Sequence, residues 1–292
     1  VDWAPSCSLA ALAARAELLA QVRGFFRERG VLEVQTSLLG AATVTEPAVE
    51  SLAVAGLGYL QTSPEYQMKR LLAAGAPSIY QLGPVFRAGE AGHRHNPEFT
   101  LLEWYRIGFD QRRLMAEVAE LLEVVLGPAP CREISYAAVV ARAPADLAEQ
   151  VSAAVSARDL LDLRFAQGLA ALPAGRWFVV DYPADQAALA RLKPGDPSVA
   201  CRFELVIDGL ELANGYYELG DPVEQRARFI RDLAIRQRSA QALPQVDERL
   251  LAALEHGLPD CAGVALGFDR LLMLKLGATG IAEVMPFPID RA

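Results

Sequence analysis

The sequence is poor in cysteine and histidine, with four of the first and three of the second among 292 residues. Cys7, Cys131, Cys201 and Cys261 are scattered, form no CxxC pair and have no histidine at metal-ligand spacing. Neither a zinc site nor a disulfide framework is indicated, and buried free thiols are expected. Apolar runs long enough to span a bilayer are missing, and the first residues lack the basic and apolar stretches of a signal peptide. The expectation is a soluble, cytoplasmic protein with no membrane partner. Cationic excess is missing too: 28 Lys and Arg against 36 Asp and Glu give a formal net charge of -8. That balance argues against a protein that grips a nucleic acid backbone, because such binding draws on clustered Lys and Arg. Both glycine-rich phosphate cradles are absent: there is no GxxxxGK[ST], and no GxGxxG between a strand and a helix. Any anionic ligand then has to be held by a few placed cations.

What is present is enough apolar sequence, 52% of positions, to bury a full core. We expect one large domain over residues 1–292 with an inserted subdomain. Ser8 caps a helix whose Leu9, Leu12, Ala16, Leu19, Val22 and Phe26 recur at helical spacing until Gly30 stops it. A strand over 31–35 follows. In "TSPEYQMKRLLAAG", Ser63 is the expected N-cap, Pro64 suits the first helical position and Gly75 the stop, which puts Glu65 in the first turn. Residues 78–87 and "NPEFTLLEWYRIG" read as a hairpin with a long loop, and Asp110 caps a helix running to Leu126. The Ala-rich stretch 128–175 reads as a helical insertion with a structural role. After "WFVVDYP", the segment "RFELVIDGLELANGYYEL" is the clearest hairpin, turning on Asp208-Gly209. Helices are expected over 222–238 and 247–256, and "GVALGFDRLLMLKLG" runs from strand into a helix beginning near Asp269. Successive hairpins argue for an antiparallel sheet flanked by helices, an α+β fold.

Two arginines occupy places that suit an anion: Arg87 ends an apolar strand, and Arg270 opens a helix, where the dipole adds to the guanidinium. Taken singly, each reads better as a surface arginine in a salt bridge. The carboxylates shift that balance. Glu211 and Glu218 are seven apart on one strand, and a bulge at Asn214-Gly215 would bring both to one face. Two such carboxylates repel unless a cation lies between them, and with arginines to take phosphate the cation expected is Mg2+ on Glu211 and Glu218.

At this point the residues resemble a known family. "VRGFFRERGVLEVQTSLL", "VFRAGEAGHRHNPEFTLLEWY" and "GVALGFDRLL" are similar to motifs one, two and three of class II aminoacyl-tRNA synthetases, and "TSPEYQMKRLL", "HNPEFT" and "ELANGYYEL" narrow the likeness to the lysyl-tRNA synthetase branch. Together with "ATVTEPAVE" and "GLPDCAGVALGFDRL", they resemble the elongation factor P lysine ligases, stand-alone paralogs of that synthetase. Motif one begins about twenty residues from the start, so no N-terminal anticodon-binding OB domain is expected. The resemblance implies the class II catalytic fold, usually a homodimer. It further implies ATP-dependent activation of (R)-β-lysine, or lysine, as an adenylate and transfer to a lysine of elongation factor P, with no tRNA partner.

Carried over by position, it assigns Arg87, Asn96, Glu211, Leu212, Gly267 and Arg270 to ATP, with Arg87 and Arg270 on its phosphates as the catalytic cations. Ser63, Pro64, Glu65, Tyr105, Glu218 and Ala265 fall to the amino acid substrate. Strand alternation adds Glu103 to the same pocket and turns Trp104 to the core. His93 and His95 are read as loop residues near ATP. The chain departs from the family pattern at Gly89, where motif two usually has Glu, with Glu90 next door, and at Ser37, where motif one usually ends in Pro. It also has Ala265 where lysyl-tRNA synthetases have Gly, an added methyl expected to disfavour the α-amino geometry of ordinary lysine. Two other readings stand beside this one: a truncated lysyl-tRNA synthetase-like enzyme charging tRNA, and a non-catalytic regulatory paralog that binds an amino acid.

Overall fold

The computed structural model describes residues 3–150 and 156–292. The Ser8 hydroxyl accepts the Ala11 amide and opens α1 (Leu9–Glu28), which buries Leu18, Val22, Phe25 and Phe26. Gly30 then takes φ 64°, a conformation that costs glycine little, and turns the chain into β1 (Leu32–Glu33). Three short strands, β2 (Leu39–Gly40), β3 (Ala53–Val54) and β4 (Gly58–Leu60), form a small separate sheet. Then come α2 (Glu65–Ala73), β5 (Ile79–Phe86), β6 (Glu98–Ile107) and α3 (Gln111–Leu126).

The second half holds β7 (Cys131–Ser135), α4 (Tyr136–Val140), α5 (Leu147–Gln150), α6 (Ala157–Ala170), β8 (Arg176–Pro183), β9 (Leu192–Lys193) and β10 (Asp196–Ile207). The chain ends with β11 (Leu210–Tyr217), α7 (Pro222–Arg238), α8 (Glu248–Gly257), β12 (Cys261–Gly267) and α9 (Phe268–Leu276). The main sheet runs β1-β5-β6-β12-β11-β10-β8-β7, with β9 beside β10. Its pairs are antiparallel except β1 with β5 and β7 with β8. The fold is α+β, as the run of hairpins predicts.

One face of this sheet carries the core. Phe203, Leu205, Leu212, Ala213, Val264 and Leu266 meet Leu18, Val22 and Phe26 of α1, Leu114, Val118 and Leu121 of α3, and Leu271 and Leu272 of α9. Phe26 is fully buried, stacked on Tyr80 at 4.4 Å and edge-on to Trp104 at 5.3 Å. Truncating such a ring costs about 3–5 kcal/mol. The opposite face carries the polar side chains of β6, β10 and β11 and opens into a cavity bounded by α2, α7 and the start of α6.

The β10–β11 hairpin turns on Asp208 and Gly209 at φ 51° and 77°, the paired positive values of a type I′ turn. The stretch 128–175 is not wholly helical: Cys131–Ser135 forms β7, parallel to β8 at the sheet edge. Its residues are half-buried or exposed, so the segment lacks the apolar alternation that marks a strand in sequence. Beyond it, Tyr136 and Val139 pack with Leu161, Phe165 and Leu169 against Val179 and Tyr182. Residues 151–155 of the expected insertion lie outside the described residues. Cys7, Cys201 and Cys261 are buried free thiols as expected, whereas Cys131 is half-buried. No helix among the described residues is long and apolar enough to cross a membrane.

Candidate active site

The cavity on the open face has a volume of about 830 Å3, and of the residues singled out for ligands only Pro64 does not line it. Arg87, at the end of β5, donates from Nε to the Thr62 carbonyl at 3.3 Å and lies 3.5 Å from Glu90. Glu90 also lines the cavity, so the acid displaced from the usual motif-two position still reaches it, while Gly89 takes φ 76° in the loop. Arg270, in the first turn of α9, donates to the Glu211 carbonyl at 2.7 Å and meets His95 Nε2 at 2.7 Å. Burial and the Arg270 guanidinium both lower the His95 pKa, which favours the neutral ring that can accept from Arg270. Asn96 is buried with its amide nitrogen on the Glu98 carbonyl at 2.6 Å and its oxygen on the Ile289 amide at 2.9 Å. Both ends of that side chain are therefore held by backbone, which fixes the loop before β6. At Gly267 a Cβ would meet only the aliphatic stem of Arg270, at 3.5 Å.

The other end of the cavity is acidic and buried. Glu103 accepts from the Ser63 hydroxyl at 2.7 Å and from the Tyr105 hydroxyl at 2.7 Å. The Ser63 hydroxyl also accepts the Glu65 amide at 3.0 Å, so it serves helix and pocket together, while Pro64 takes the cap position itself. Glu65 and Glu218 share Lys69, whose Nζ lies 2.7 Å from the first and 2.6 Å from the second. Burial pushes the Glu103 carboxyl up to about 8; neighbouring Glu65 adds to this, and the two hydroxyl donors oppose it. Glu218 is pushed up to about 7 by burial, against the pull of Lys69. Trp104 is fully buried on the core face, as alternation requires.

Beneath this end lies Gly263, directly across the sheet from Tyr105. A Cβ there would come within 2.6 Å of Glu218 Oε1 and closer still to the Tyr105 ring, so glycine sets the depth of the floor. Ala265, two residues on, pairs with Glu103 and Asn214 and lines the cavity between the two ends.

Glu211 and Glu218 do face the same cavity, but the bulge that brings them there is at Leu212 rather than Asn214-Gly215. Leu205 pairs with Ala213 and Val206 with Glu211, leaving Leu212 as the extra residue, packed in the core beside Ala213. Asn214 and Gly215 pair regularly with Glu204 and Phe203. The two carboxylates have separate neighbours. Glu218 belongs to Lys69, whereas Glu211 is pushed up to about 7 first by burial and next by Glu204, with Arg270 opposing. Glu204 lines the same cavity from β10 and is bonded to Arg202 at 2.6 Å. Sequence reasoning missed Lys69, Glu204 and Gly263. A lysine four residues after Glu65 was a legible signal for the first; the other two depend on cross-strand register.

This geometry can hold phosphate at one end and ammonium at the other. The model of the class II tRNA synthetases for Asp, Lys and Asn matches residues 2–291. The chain belongs to the class II tRNA synthetase family. Within it, the chain is 46% identical to the elongation factor P–(R)-β-lysine ligase of Vibrio cholerae serotype O1, over 100% of this chain and 99% of that protein. It is 44% identical to the protein of that name from Vibrio vulnificus, with coverage of 100% and 99%, and 45% identical to that from Proteus mirabilis, with coverage of 100% and 98%.

Proposed function

We propose that this protein activates (R)-β-lysine with ATP as an adenylate and transfers it to a lysine side chain of elongation factor P. The observation that carries the reading is one cavity with two arginines at one end and three glutamates at the other, Glu103 and Glu218 buried and Glu65 half-buried. A diamino acid has this polarity: a carboxylate to be activated and two ammonium groups to be recognised. The names of the relatives over their full lengths support the substrate and the acceptor.

In the first step the substrate carboxylate attacks the α-phosphorus of ATP, forming the acyl–phosphate bond as pyrophosphate leaves. Arg87 and Arg270 stabilise charge on the phosphate oxygens, an electrostatic role that needs no protein nucleophile. Arg270 exchanges His95 and the Glu211 carbonyl for phosphate oxygens, while Arg87 exchanges Glu90. In the second step the acceptor ε-amine attacks the acyl carbonyl and AMP leaves.

A divalent cation fits the acids of β10 and β11. Glu211 and Glu204 face one cavity, and burial first and Glu204 next raise the Glu211 pKa. Glu211 would hold Mg2+, with Glu204 or Glu218 as the second acid; each of those two already has a cation beside it, Arg202 and Lys69 respectively. When bound, Mg2+ supplies Lewis-acid neutralisation of the phosphate oxygens. A homodimer is part of the reading, supported by Leu32, Leu38 and Leu39, which are exposed just after α1 at the motif-one end.

ATP–pyrophosphate exchange with (R)-β-lysine and α-lysine side by side, followed by transfer to purified elongation factor P or tRNA, tests the proposal. Exchange favouring β-lysine with label moving to the protein is expected. Label moving to tRNA would return the chain to the charging enzymes, and no exchange with any diamino acid would overturn catalysis altogether.

A further inference from the structure

Lys69 has no part in the chemistry above, yet it is 1% exposed and lies between two glutamates of the pocket. Burial works against its charge, but Glu218 and Glu65 more than reverse this and keep the ammonium protonated well above its ordinary range. Its contacts go to one oxygen of each acid: Glu65 Oε1 at 2.7 Å and Glu218 Oε2 at 2.6 Å. Both Glu218 oxygens are buried without a hydrogen bond among the described residues; Oε2 has the ion pair with Lys69, whereas Oε1, the atom beside the Gly263 floor of the cavity, has neither. A buried acceptor left open in a cavity wall is placed to receive a donor from a ligand.

The charge count points the same way. Glu65, Glu103 and Glu218 bring three negative charges when ionised, and Lys69 returns one. The remainder equals the two ammonium groups of a diamino acid whose own carboxylate is taken up in the adenylate. Without Lys69, two buried carboxylates and a half-buried one would face one another, and protonation is the ordinary outcome of such crowding.

We propose that Lys69 is a positioning residue of the amino acid pocket, an internal counter-cation that bridges Glu65 and Glu218 and leaves Glu218 Oε1 free for a ligand ammonium. It thereby matches the pocket to a ligand carrying two positive charges. The proposal rests on the reading of this cavity as a diamino acid site.

The groups facing Glu218 and Lys69 are Glu65 on α2, Glu103 and Tyr105 on β6, Tyr216 on β11, Cys261 on β12, and Arg191, which donates to the Glu218 carbonyl. Arg191 is the other cation among them, and its guanidinium is bonded to backbone and to Asp260. Removing Lys69 therefore raises the Glu218 pKa further. The carboxylate must be ionised to bind ammonium, so the pH limb of 1/KM for the diamino acid moves to higher pH.

The test is pyrophosphate exchange across about pH 6 to 9 with wild type, Lys69→Met and Lys69→Arg. For Lys69→Met we expect KM for (R)-β-lysine to rise about tenfold at neutral pH and the limb to move up by about one pH unit, with KM for ATP within about twofold. Lys69→Arg keeps the charge and should retain the wild-type limb. A Lys69→Met enzyme whose limb and KM match wild type would overturn the proposal, as would equal losses in both variants with the limb unmoved, the mark of a structural role.

Should Lys69→Met fail to fold, Glu65→Gln combined with Lys69→Met removes one charge of each sign. The limb should again move up, because Lys69 acts on Glu218 more strongly than Glu65 does; an unmoved limb overturns the idea. Wild type inactive with every diamino acid would remove the functional reading on which the proposal stands. Wild-type activity with an unmoved limb in the variants removes the Lys69 role alone.

Discussion

The two ends of the cavity are built on opposite terms. At the phosphate end, Arg87 is about a quarter exposed and its side chain lies 3.5 Å from Glu90, and Arg270 holds a backbone carbonyl and a neutral histidine. At the amine end, Lys69 and Glu218 are each 1% exposed and lie 2.6 Å apart, with Glu103 fixed by two hydroxyl donors. The first set of partners can be exchanged for phosphate oxygens at small cost, since each is a contact that water or a ligand can replace. The second set cannot be rearranged without leaving a buried charge unpaired, which is strongly destabilising. On the proposed reading, one end is rebuilt around its ligand and the other is formed before the ligand arrives.

Breaking the phosphate end should have the largest effect. Arg270→Ala is expected to lower the exchange rate by about 10²–10³-fold, while KM for the diamino acid changes little; a matching rise in that KM would merge the two ends into one. Gly263→Ala breaks the amine end. The added Cβ displaces the Tyr105 ring or Glu218, and overpacking of this kind costs about 1–3 kcal/mol, so KM for the diamino acid should rise about tenfold or more with KM for ATP unchanged. Exchange kinetics and a melting curve on one preparation separate the loss of fit from the loss of fold.

The buried acids also predict a pH contrast between stability and binding. Folded Glu103 titrates near 8 and Glu218 near 7, both above the unfolded value of 4.5. The folded state holds more protons between those values, so the stability these groups contribute is full below the unfolded pKa and is lost as pH rises through the folded pKa. Melting temperature of the ligand-free protein should therefore fall between about pH 5 and 8, while affinity for the diamino acid rises over the upper part of that window. Thermal melts with and without substrate check both signs. The smallest effect expected is from Ala265→Gly, which should raise activation of α-lysine a few-fold relative to β-lysine. An unchanged preference would remove Ala265 from specificity.

The helices and hairpins could be read along the chain because their signals are local: Ser8 and Asp110 as caps, Asp208-Gly209 as a primed turn, alternation through "TLLEWYR". The two-faced strand holding Trp104 and Tyr105 followed from the same periodicity, and the free thiols, three of them buried, from cysteines scattered without a CxxC pair. The site was less legible where it depends on neighbours remote in sequence. Glu218 reads as an acid without a cation beside it until α2 delivers Lys69 to it, and Glu204 gains meaning only when β10 is set beside β11. The bulge at Leu212 was misplaced because Asn-Gly carries the stronger local signal, whereas the actual bulge is an apolar residue recruited to the core. β7 escaped because an edge strand has no buried face to write an alternation into the sequence.

That bulge has a consequence for the length of molecule the enzyme can handle. β11 runs from Glu211, at the end assigned to phosphate, to Tyr217, with Glu218 of the end assigned to the amine next in the chain, and a strand advances about 3.3 Å per residue. Leu212 takes up one residue without turning either carboxylate away from the cavity. On the proposed reading the strand is a ruler laid along the bound ligands, and its graduations can be changed one residue at a time. A shorter β11 would bring the two ends of the cavity closer together and leave room for a shorter diamine between them.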